Sequence, residues 1–208
     1  MQIFIFVIGF TAQLLFFTRF LVQWILSEKA RRVLSPALFW QLSILASFLL
    51  FVYGWLRDDF AILLGQLLAY YIYIWNLKIK NNWKQLIAPV RFIVLVTPFL
   101  AIGWLIANWQ ETAQRLFFNE SIPLRLLIWG SLGQLLFTLR FIYQWFYSRK
   151  REESLLPGGF WMISIAGALV ILSYAIYRRD PVLLIGQGTG ILVYSRNLFI
   201  LKRSEDKS

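Results

Sequence analysis

Seven long apolar stretches restrict the fold of this chain more than any other feature of its sequence. They cover residues 3–26, 37–56, 60–78, 88–109, 124–147, 160–177 and 181–200. A helix of about 20 apolar residues crosses the hydrocarbon core of a bilayer. A backbone in lipid must also satisfy its own hydrogen bonds, which a helix does within one segment. The sequence therefore predicts an all-α integral membrane protein with seven transmembrane helices.

The composition supports a membrane protein and narrows the chemistry available to it. Charged residues make up 15% of the chain, whereas soluble domains carry about 25%. The absence of Cys and His excludes disulfides and Cys/His metal sites. Every Asp and Glu lies outside the apolar stretches, which argues against a carboxylate proton relay and against glycoside hydrolysis. We therefore expect no catalytic residues, no metal and no cofactor, and predict that the chain is not an enzyme.

An internal repeat is the second constraint on the fold. When the sequence is shifted by 121 residues, 27 of the 71 positions between Gly9 and Ile79 are identical to their counterparts. The identities include polar and aromatic residues, which a shared apolar composition would not align. They pair Gln13 with Gln134, Arg19 with Arg140, Gln23 with Gln144, Trp24 with Trp145, Gln66 with Gln187, Tyr73 with Tyr194 and Asn76 with Asn197. The chain therefore contains two copies of one three-helix unit.

The repeats set the expected domain organisation. The first occupies residues 1–80, the second residues 123–201, and a linker at 81–122 contributes one more helix. A single linker helix returns the second repeat to the orientation of the first, so we predict parallel repeats in a three-one-three arrangement. Residues 202–208 form a polar cytoplasmic tail, and we expect disorder after Ile200.

The basic residues predict the orientation in the membrane. Of the basic residues in the loops and at the ends of the spans, 13 fall on one side and five on the other. The larger group comprises Lys29, Arg31, Arg32, Lys78, Lys80, Lys84, Arg91, Arg149, Lys150, Arg151, Lys202, Arg203 and Lys207. Because cytoplasmic loops carry the excess of Lys and Arg, we predict a multi-pass inner-membrane protein with a periplasmic N-terminus and a cytoplasmic C-terminus. Charge distributed in this way also argues against nucleic acid as a partner.

Three basic residues remain, Arg19, Arg140 and Arg196, and all three lie within apolar stretches. Arg196 is near the end of its helix, where its side chain can reach the membrane surface. Arg19 and Arg140 lie about two turns deeper, and such residues normally face a protein interior or a wet cavity because charge in hydrocarbon costs several kcal/mol. At 100° per residue, the matched Gln and Trp residues of the same helix lie within about 140° of each arginine.

These polar faces predict a central cavity that binds phosphate, because a guanidinium group can pair bidentately with phosphate oxygens. The predicted substrate-binding residues are Arg19, Arg140, Gln13, Gln134, Gln23, Gln144, Trp24, Trp145, Gln66, Gln187, Asn76, Asn197, Tyr73 and Tyr194. In the alternative interpretation the Gln and Asn residues form hydrogen bonds between helices and bind no ligand. Trp40 and Trp161, near the ends of spans, are interpreted as part of an aromatic belt, which is also the alternative for Trp24 and Trp145.

The repeated string resembles the lipid-A biosynthesis N-terminal domain family. It reads Gln-x-x-Phe-x-x-Arg-Phe-x-x-Gln-Trp-x-x-Ser, then Pro-x-x-Phe-Trp-x-x-Ser, Arg-x-Asp, Gly-Gln and Tyr-x-x-Asn-Leu. The resemblance covers both repeats and implies a role alongside lipid A or polyprenyl-linked sugar metabolism, not the transferase reaction itself. The seven-helix arrangement is also similar to the SWEET and PQ-loop transporters, although the Pro-Gln dipeptide and the hinge proline of those proteins are absent.

Three hypotheses for the function follow. The leading one is a transporter or flippase for an anionic glycolipid, such as a polyprenyl-phosphate-linked sugar that serves lipid A or related glycan modification. The second is a membrane subunit that transports nothing and docks a glycosyltransferase through its basic cytoplasmic loops. The third is a SWEET-like transporter of small sugars, which the two deep arginines disfavour because a neutral sugar does not require them.

Overall fold

The computed structural model describes residues 2–56, 60–111, 124–179 and 181–205. Within these ranges the chain forms α-helices, a short 3-10 turn at Trp83–Gln85, and no strand. The α-helices are α1 (Gln2–Ala30), α2 (Ala37–Leu56), α3 (Phe60–Ile79), α4 (Ala88–Ala107), α5 (Leu124–Arg151), α6 (Gly158–Arg178) and α7 (Pro181–Glu205). The predicted all-α class is confirmed.

The first helix of each repeat ends in the same way. Both α1 and α5 carry basic residues in their last turn, where a positive charge interacts favourably with the helix dipole. The residue at the turn is left-handed in each case, with φ of 53° at Arg31 and 52° at Glu152. Pro36 and Pro157 then precede α2 and α6, since a fixed φ suits the start of a helix. The repeated sequence thus gives two similar helix–turn–helix connections.

The end of α7 differs from the expectation. Disorder after Ile200 was expected from the polar composition, but α7 continues to Glu205, so this prediction is wrong for residues 201–205. Lys202 and Arg203 lie in its last turn, where they favour the helix over a disordered tail. Residues 206–208 lie outside the described part of the chain.

The chain divides into two compact units that do not follow the repeat boundaries. Unit 1 consists of residues 1–19 and 37–121, and unit 2 of residues 20–36 and 122–208. The division falls inside α1, between Arg19 and Phe20. The last turns of α1 and the loop after it therefore belong with the helices of the second repeat.

The distribution of apolar side chains supports a lipid-facing exterior. Aromatic residues fill the interior of each unit, and Trp40 and Trp161 are both fully buried. Large apolar side chains remain exposed on the helix surfaces, among them Phe10 at 74%, Ile106 at 72% and Leu192 at 72%. By length and composition, two of the described helices, at Ile3–Ala30 and Gly158–Tyr177, are candidates to cross a membrane.

Candidate functional site

A buried arginine on α1 forms the first candidate site. Arg19 on α1 is 3% exposed. Its Nη1 donates to Ser43 Oγ on α2 at 2.7 Å and to Tyr73 Oη on α3 at 3.3 Å. The guanidinium carbon lies 4.5 Å from the ring centroid of Phe16 and 5.1 Å from that of Phe39. All three helices of the first repeat thus contact one guanidinium group, and we refer to these five residues as the Arg19 cluster.

The second repeat builds the same arrangement in unit 2. Arg140 on α5 is 6% exposed. Its Nη1 donates to Ser164 Oγ on α6 and to Tyr194 Oη on α7, each at 3.3 Å. The guanidinium carbon lies 4.3 Å from the ring centroid of Phe137 and 5.6 Å from that of Phe160. These five residues form the Arg140 cluster, and each matches its counterpart in the Arg19 cluster at the offset of 121 residues.

The Arg140 cluster also receives a residue from α1. Phe20 directly follows Arg19 in the sequence but belongs to unit 2. Its ring packs edge-on against Tyr194 at a centroid distance of 5.3 Å and lies 5.7 Å from the guanidinium carbon of Arg140. The site in unit 2 therefore draws on four helices, namely α1, α5, α6 and α7.

The chemistry of the clusters is that of a positive charge held in aromatic surroundings. A guanidinium group remains charged at any physiological pH, and aromatic ring faces stabilise it when it is desolvated. Among the described residues, no carboxylate forms an ion pair with Arg140. Around Arg140, neutral hydroxyl and aromatic groups among the described residues leave the positive charge formally uncompensated. Such a site is suited to bind an anion.

Sequence reasoning found the arginines and tyrosines of the clusters but missed the serines and phenylalanines around them. Ser43, Ser164, Phe39 and Phe160 are identical between the repeats, as are Phe16 and Phe137. Identity at the 121-residue offset was thus the signal that could have identified them. Their residue types alone gave no such signal, because serine and phenylalanine are common in transmembrane helices.

The aromatic-belt interpretation of Trp40 and Trp161 is wrong. Both side chains are 0% exposed, whereas belt residues lie at the lipid–water interface. The ring of Trp40 lies 6.0 Å from that of Tyr73, and the ring of Trp161 lies 6.1 Å from that of Tyr194. Each tryptophan therefore packs beside the tyrosine that binds the arginine of its cluster.

Gln23 forms a hydrogen-bonded junction inside unit 2. Its side chain is 0% exposed, and its amide Nε2 lies 2.7 Å from Asn197 Oδ1, 2.9 Å from Ser27 Oγ and 3.2 Å from the Leu34 carbonyl oxygen. Ser27 Oγ in turn accepts a hydrogen bond from the Leu34 N–H. The junction fixes the loop after α1 and joins α1 of the first repeat to α7 of the second.

Gln144 fixes the equivalent loop after α5. It is also 0% exposed, and its Nε2 donates to Ser148 Oγ at 2.8 Å and to the Leu155 carbonyl oxygen at 2.9 Å. The Leu155 N–H donates to Ser148 Oγ. The Gln-x-x-x-Ser pair thus stabilises a loop in each repeat, and the amide nitrogens of Gln23 and Gln144 are engaged within the protein.

The two predicted tryptophans lie in different electrostatic settings. Trp24 is half-buried and its Nε1 donates to Glu28 Oε1 at 3.0 Å. Glu28 also pairs with Arg196 of α7, whose Nη2 lies 3.1 Å from Oε2. At the matching positions of the second repeat, the ring of Trp145 lies 5.1 Å from the guanidinium carbon of Arg149. A carboxylate in the first repeat is thus replaced by a cation in the second.

The Glu28–Arg196 pair predicts a charge-swap rescue. Glu28→Arg should lower the apparent Tm in detergent because two arginines then oppose each other, and adding Arg196→Glu should restore it. The effect should fade near 1 M NaCl, where the Debye length falls to about 3 Å. Intrinsic tryptophan fluorescence can follow unfolding. Glu153→Arg, at an exposed loop position, is the control and should change little. A double variant as unstable as Glu28→Arg would contradict a specific pair.

Three other predicted residues lie on the third helices of the repeats. Gln66 is half-buried and accepts a hydrogen bond from Ser47 Oγ at 2.7 Å. Gln187 is half-buried, and Ala168 stands where Ser47 is in the first repeat, which removes the matching bond. Asn76 is 0% exposed and its Nδ2 donates to the backbone oxygen of Ile72 at 2.8 Å.

The last two predicted residues are Gln13 and Gln134, near the start of the first helix of each repeat. Gln13 is exposed, unlike Arg19 and Gln23 on the same helix. Gln134 lies outside the residues whose side chains the structure describes. The helical wheel therefore grouped residues that differ in burial, because it ignores which neighbours lie beside each turn.

The fold and the clusters define a helical protein with an internal duplication and one buried arginine site in each repeat. The sequence model of the Lipid A Biosynthesis N-terminal domain family matches residues 8–78 and residues 129–199, one region in each repeat. The chain belongs to this family, which confirms the resemblance and links the chain to lipid A biosynthesis.

Curated relatives include proteins named lipid-A-disaccharide synthase from several Chlamydia species. Those of Chlamydia felis and Chlamydia pneumoniae are each 30% identical to this chain, over 203 and 202 residues respectively. The matches cover 93% and 95% of this chain but 32% and 33% of the relatives. The chain thus spans about a third of the length of the curated relatives it matches. No solved structure matches it.

Proposed function

We propose that this chain is a multi-pass protein of the bacterial inner membrane, with its N-terminus in the periplasm and its C-terminus in the cytoplasm. The exposed apolar side chains of the helices, such as Phe10 and Leu192, support a lipid-facing surface. The basic loops support the orientation, since Lys and Arg concentrate on the cytoplasmic side. Seven apolar helices in a three-one-three order would then carry the two repeats in parallel.

Within that membrane the protein moves an anionic glycolipid between leaflets, and the substrate is a polyprenyl-phosphate-linked sugar. The observation that carries this proposal is the buried Arg140, whose guanidinium group has hydroxyl and aromatic neighbours and no carboxylate partner among the described residues. A charge placed there without an acidic partner is retained for an anionic ligand more readily than for stability. Membership of a lipid A biosynthesis family supports a lipid-linked substrate.

The geometry of the Arg140 cluster indicates how the proposed site would bind phosphate. The guanidinium group supplies paired N–H donors that match phosphate oxygens. The contacts from the charged Nη1 to Ser164 and Tyr194 are hydrogen bonds of 3.3 Å to neutral hydroxyl groups, which are weaker than a bond between the guanidinium and an ionised phosphate. Phosphate can therefore replace them during passage. No acid or base is required for such movement, so the proposed role is transport and not catalysis.

Reconstitution into liposomes tests the proposal. A polyprenyl-phosphate sugar with a fluorescent headgroup is included in the bilayer, and a membrane-impermeant quencher reports the fraction in the outer leaflet over time. We expect exchange faster than in protein-free liposomes. The same sugar on an uncharged polyprenol should not be accelerated. Exchange no faster than in protein-free liposomes, with protein that unfolds at its normal Tm, would refute transport.

A docking subunit is the second candidate, and the length of the relatives favours it. In the Chlamydia proteins the matching region is about a third of a longer chain named as a synthase. The exposed basic residues at the ends of α1 and α5, which include Lys29, Arg31, Lys150 and Arg151, would then contact a separate glycosyltransferase. A docking subunit would give no exchange in liposomes, so the same assay separates the two candidates.

A further inference from the structure

Two buried hydrogen-bond donors in unit 2 lack an acceptor. They are the Nε–H of Arg140 and the indole Nε1–H of Trp161, neither of which finds a partner among the described residues. Trp161 is 0% exposed, so water does not reach its indole nitrogen. A buried donor without a partner carries its full desolvation penalty, which native proteins rarely retain without a reason.

The two donors belong to one cluster of side chains. Tyr194 accepts a hydrogen bond from Arg140 Nη1 at 3.3 Å, and its ring lies 6.1 Å from the ring of Trp161. Phe160 is the second shared neighbour, since its ring lies 5.6 Å from the Arg140 guanidinium carbon and 4.9 Å from the Trp161 ring. Because the Tyr194 hydroxyl accepts from Arg140, its own hydrogen remains available as a third donor.

A site with these three hydrogen-bond donors favours a ligand that accepts hydrogen bonds and donates none. A sugar hydroxyl brings a hydrogen that needs an acceptor of its own, whereas an ionised phosphate brings oxygens that only accept. The fixed positive charge of Arg140 favours the anion further. Phosphate thus matches both the charge and the surplus of donors.

The counterpart in unit 1 does not show the same surplus. Trp40 occupies the position that matches Trp161 and is equally buried, but it is not left without a partner. Of these two matched tryptophans, Trp161 is the one whose indole N–H has no partner among the described residues. The donor surplus therefore marks unit 2 as the stronger anion site.

We infer that the Arg140 cluster binds phosphate and that Trp161 donates its indole N–H to the phosphate beside Arg140. The source of the phosphate, a lipid headgroup, rests on the proposed function. The preference of the site for phosphate rests on its hydrogen-bond donors. Trp161 is thereby assigned a ligand-binding role, and the two repeats are distinguished in function.

Binding of farnesyl phosphate to the purified protein in detergent tests this assignment. Trp161→Phe removes the indole N–H and keeps an aromatic ring, and we expect roughly tenfold weaker binding, equivalent to about 1.4 kcal/mol. Trp40→Phe is the matched control, with the same change in side chain at an equally buried position, and should alter binding less than twofold. Farnesol, which has the same tail without phosphate, should bind both variants as it binds the wild type.

The outcomes of these experiments separate the role of Trp161 from the proposal of an anionic-lipid substrate. Unchanged binding by Trp161→Phe, with Arg140→Ala weakened, would overturn the role of Trp161 and leave the anionic-lipid proposal intact. Equal losses in Trp161→Phe and Trp40→Phe would overturn the difference between repeats. If inorganic phosphate bound as tightly as farnesyl phosphate and with the same dependence on Trp161, the phosphate site would stand and the lipid substrate would fail. No preference for farnesyl phosphate over farnesol would overturn both.

Discussion

Arg140→Ala is expected to slow leaflet exchange of a polyprenyl-phosphate sugar by roughly 10- to 100-fold. Hydrogen bonds to charged groups contribute about 1.5–3 kcal/mol, and 1.4 kcal/mol corresponds to a factor of ten. The loss should exceed that of any other single change because Arg140 has no carboxylate partner among the described residues and its charge is available for the ligand. Exchange in liposomes, measured with the headgroup quencher, gives the rate.

Substitutions at the same position separate charge from geometry. Arg140→Lys keeps the charge but loses the planar fork, so we expect an intermediate rate. Arg140→Met fills the aromatic surroundings without charge and should match alanine in exchange while it unfolds closer to the wild type. Lys150→Ala removes a positive charge from an exposed position of the same helix and should leave exchange unchanged. Equal losses in Lys150→Ala and Arg140→Ala would show a general electrostatic effect and no specific site.

The sequence predicted the helices and the arginines for physical reasons that act locally. Apolar stretches of transmembrane length have little alternative to helix, and the helices of the structure coincide with them. A charge at depth cannot face lipid without a large penalty, which made the burial of Arg19 and Arg140 predictable. The helices and the buried arginine were predicted in both repeats, because the same residues recur 121 positions later.

Other features depend on partners that no local pattern reveals. Asn197 lies 174 residues from Gln23, and a helical wheel cannot show that they bond. The wheel also placed Gln13 with Arg19, although Gln13 is exposed. Trp161 was assigned to an aromatic belt from its place near a span end, but its burial depends on Tyr194 of another helix. Position along a helix therefore does not identify the neighbours that decide whether a side chain is buried.

The hydrogen bonds of Gln23 bear on the two interpretations of the polar residues, as ligand-binding groups or as bonds between helices. The engaged amide nitrogen favours the structural role at this position, and the equivalent loop of Gln144 agrees. Arg140 is different, because its aromatic and hydroxyl neighbours among the described residues do not compensate its charge. The duplicated face thus combines glutamines that bond within the protein with arginines that we propose bind the ligand.

Gln23→Leu is expected to destabilise the protein by about 2 kcal/mol, because leucine fills the space but leaves Asn197 Oδ1 and the Leu34 carbonyl oxygen without this donor. For a chain of this length, 1 kcal/mol shifts Tm by roughly 2–4 °C, so the apparent Tm should fall by about 4–8 °C. Unfolding in detergent, followed by tryptophan fluorescence, measures the shift.

Gln13→Leu supplies the matched control for Gln23→Leu. It is the same substitution on the same helix, but Gln13 is exposed. If this position faces lipid, as we propose, leucine there should leave Tm unchanged or raise it. The comparison removes any general effect of replacing glutamine with leucine on α1. If Gln23→Leu kept its Tm but lost farnesyl phosphate binding, Gln23 would bind ligand and the junction would not be structural. If instead Tm fell while the remaining folded protein bound farnesyl phosphate normally, the junction that joins α1 to α7 would hold the site together without touching the ligand.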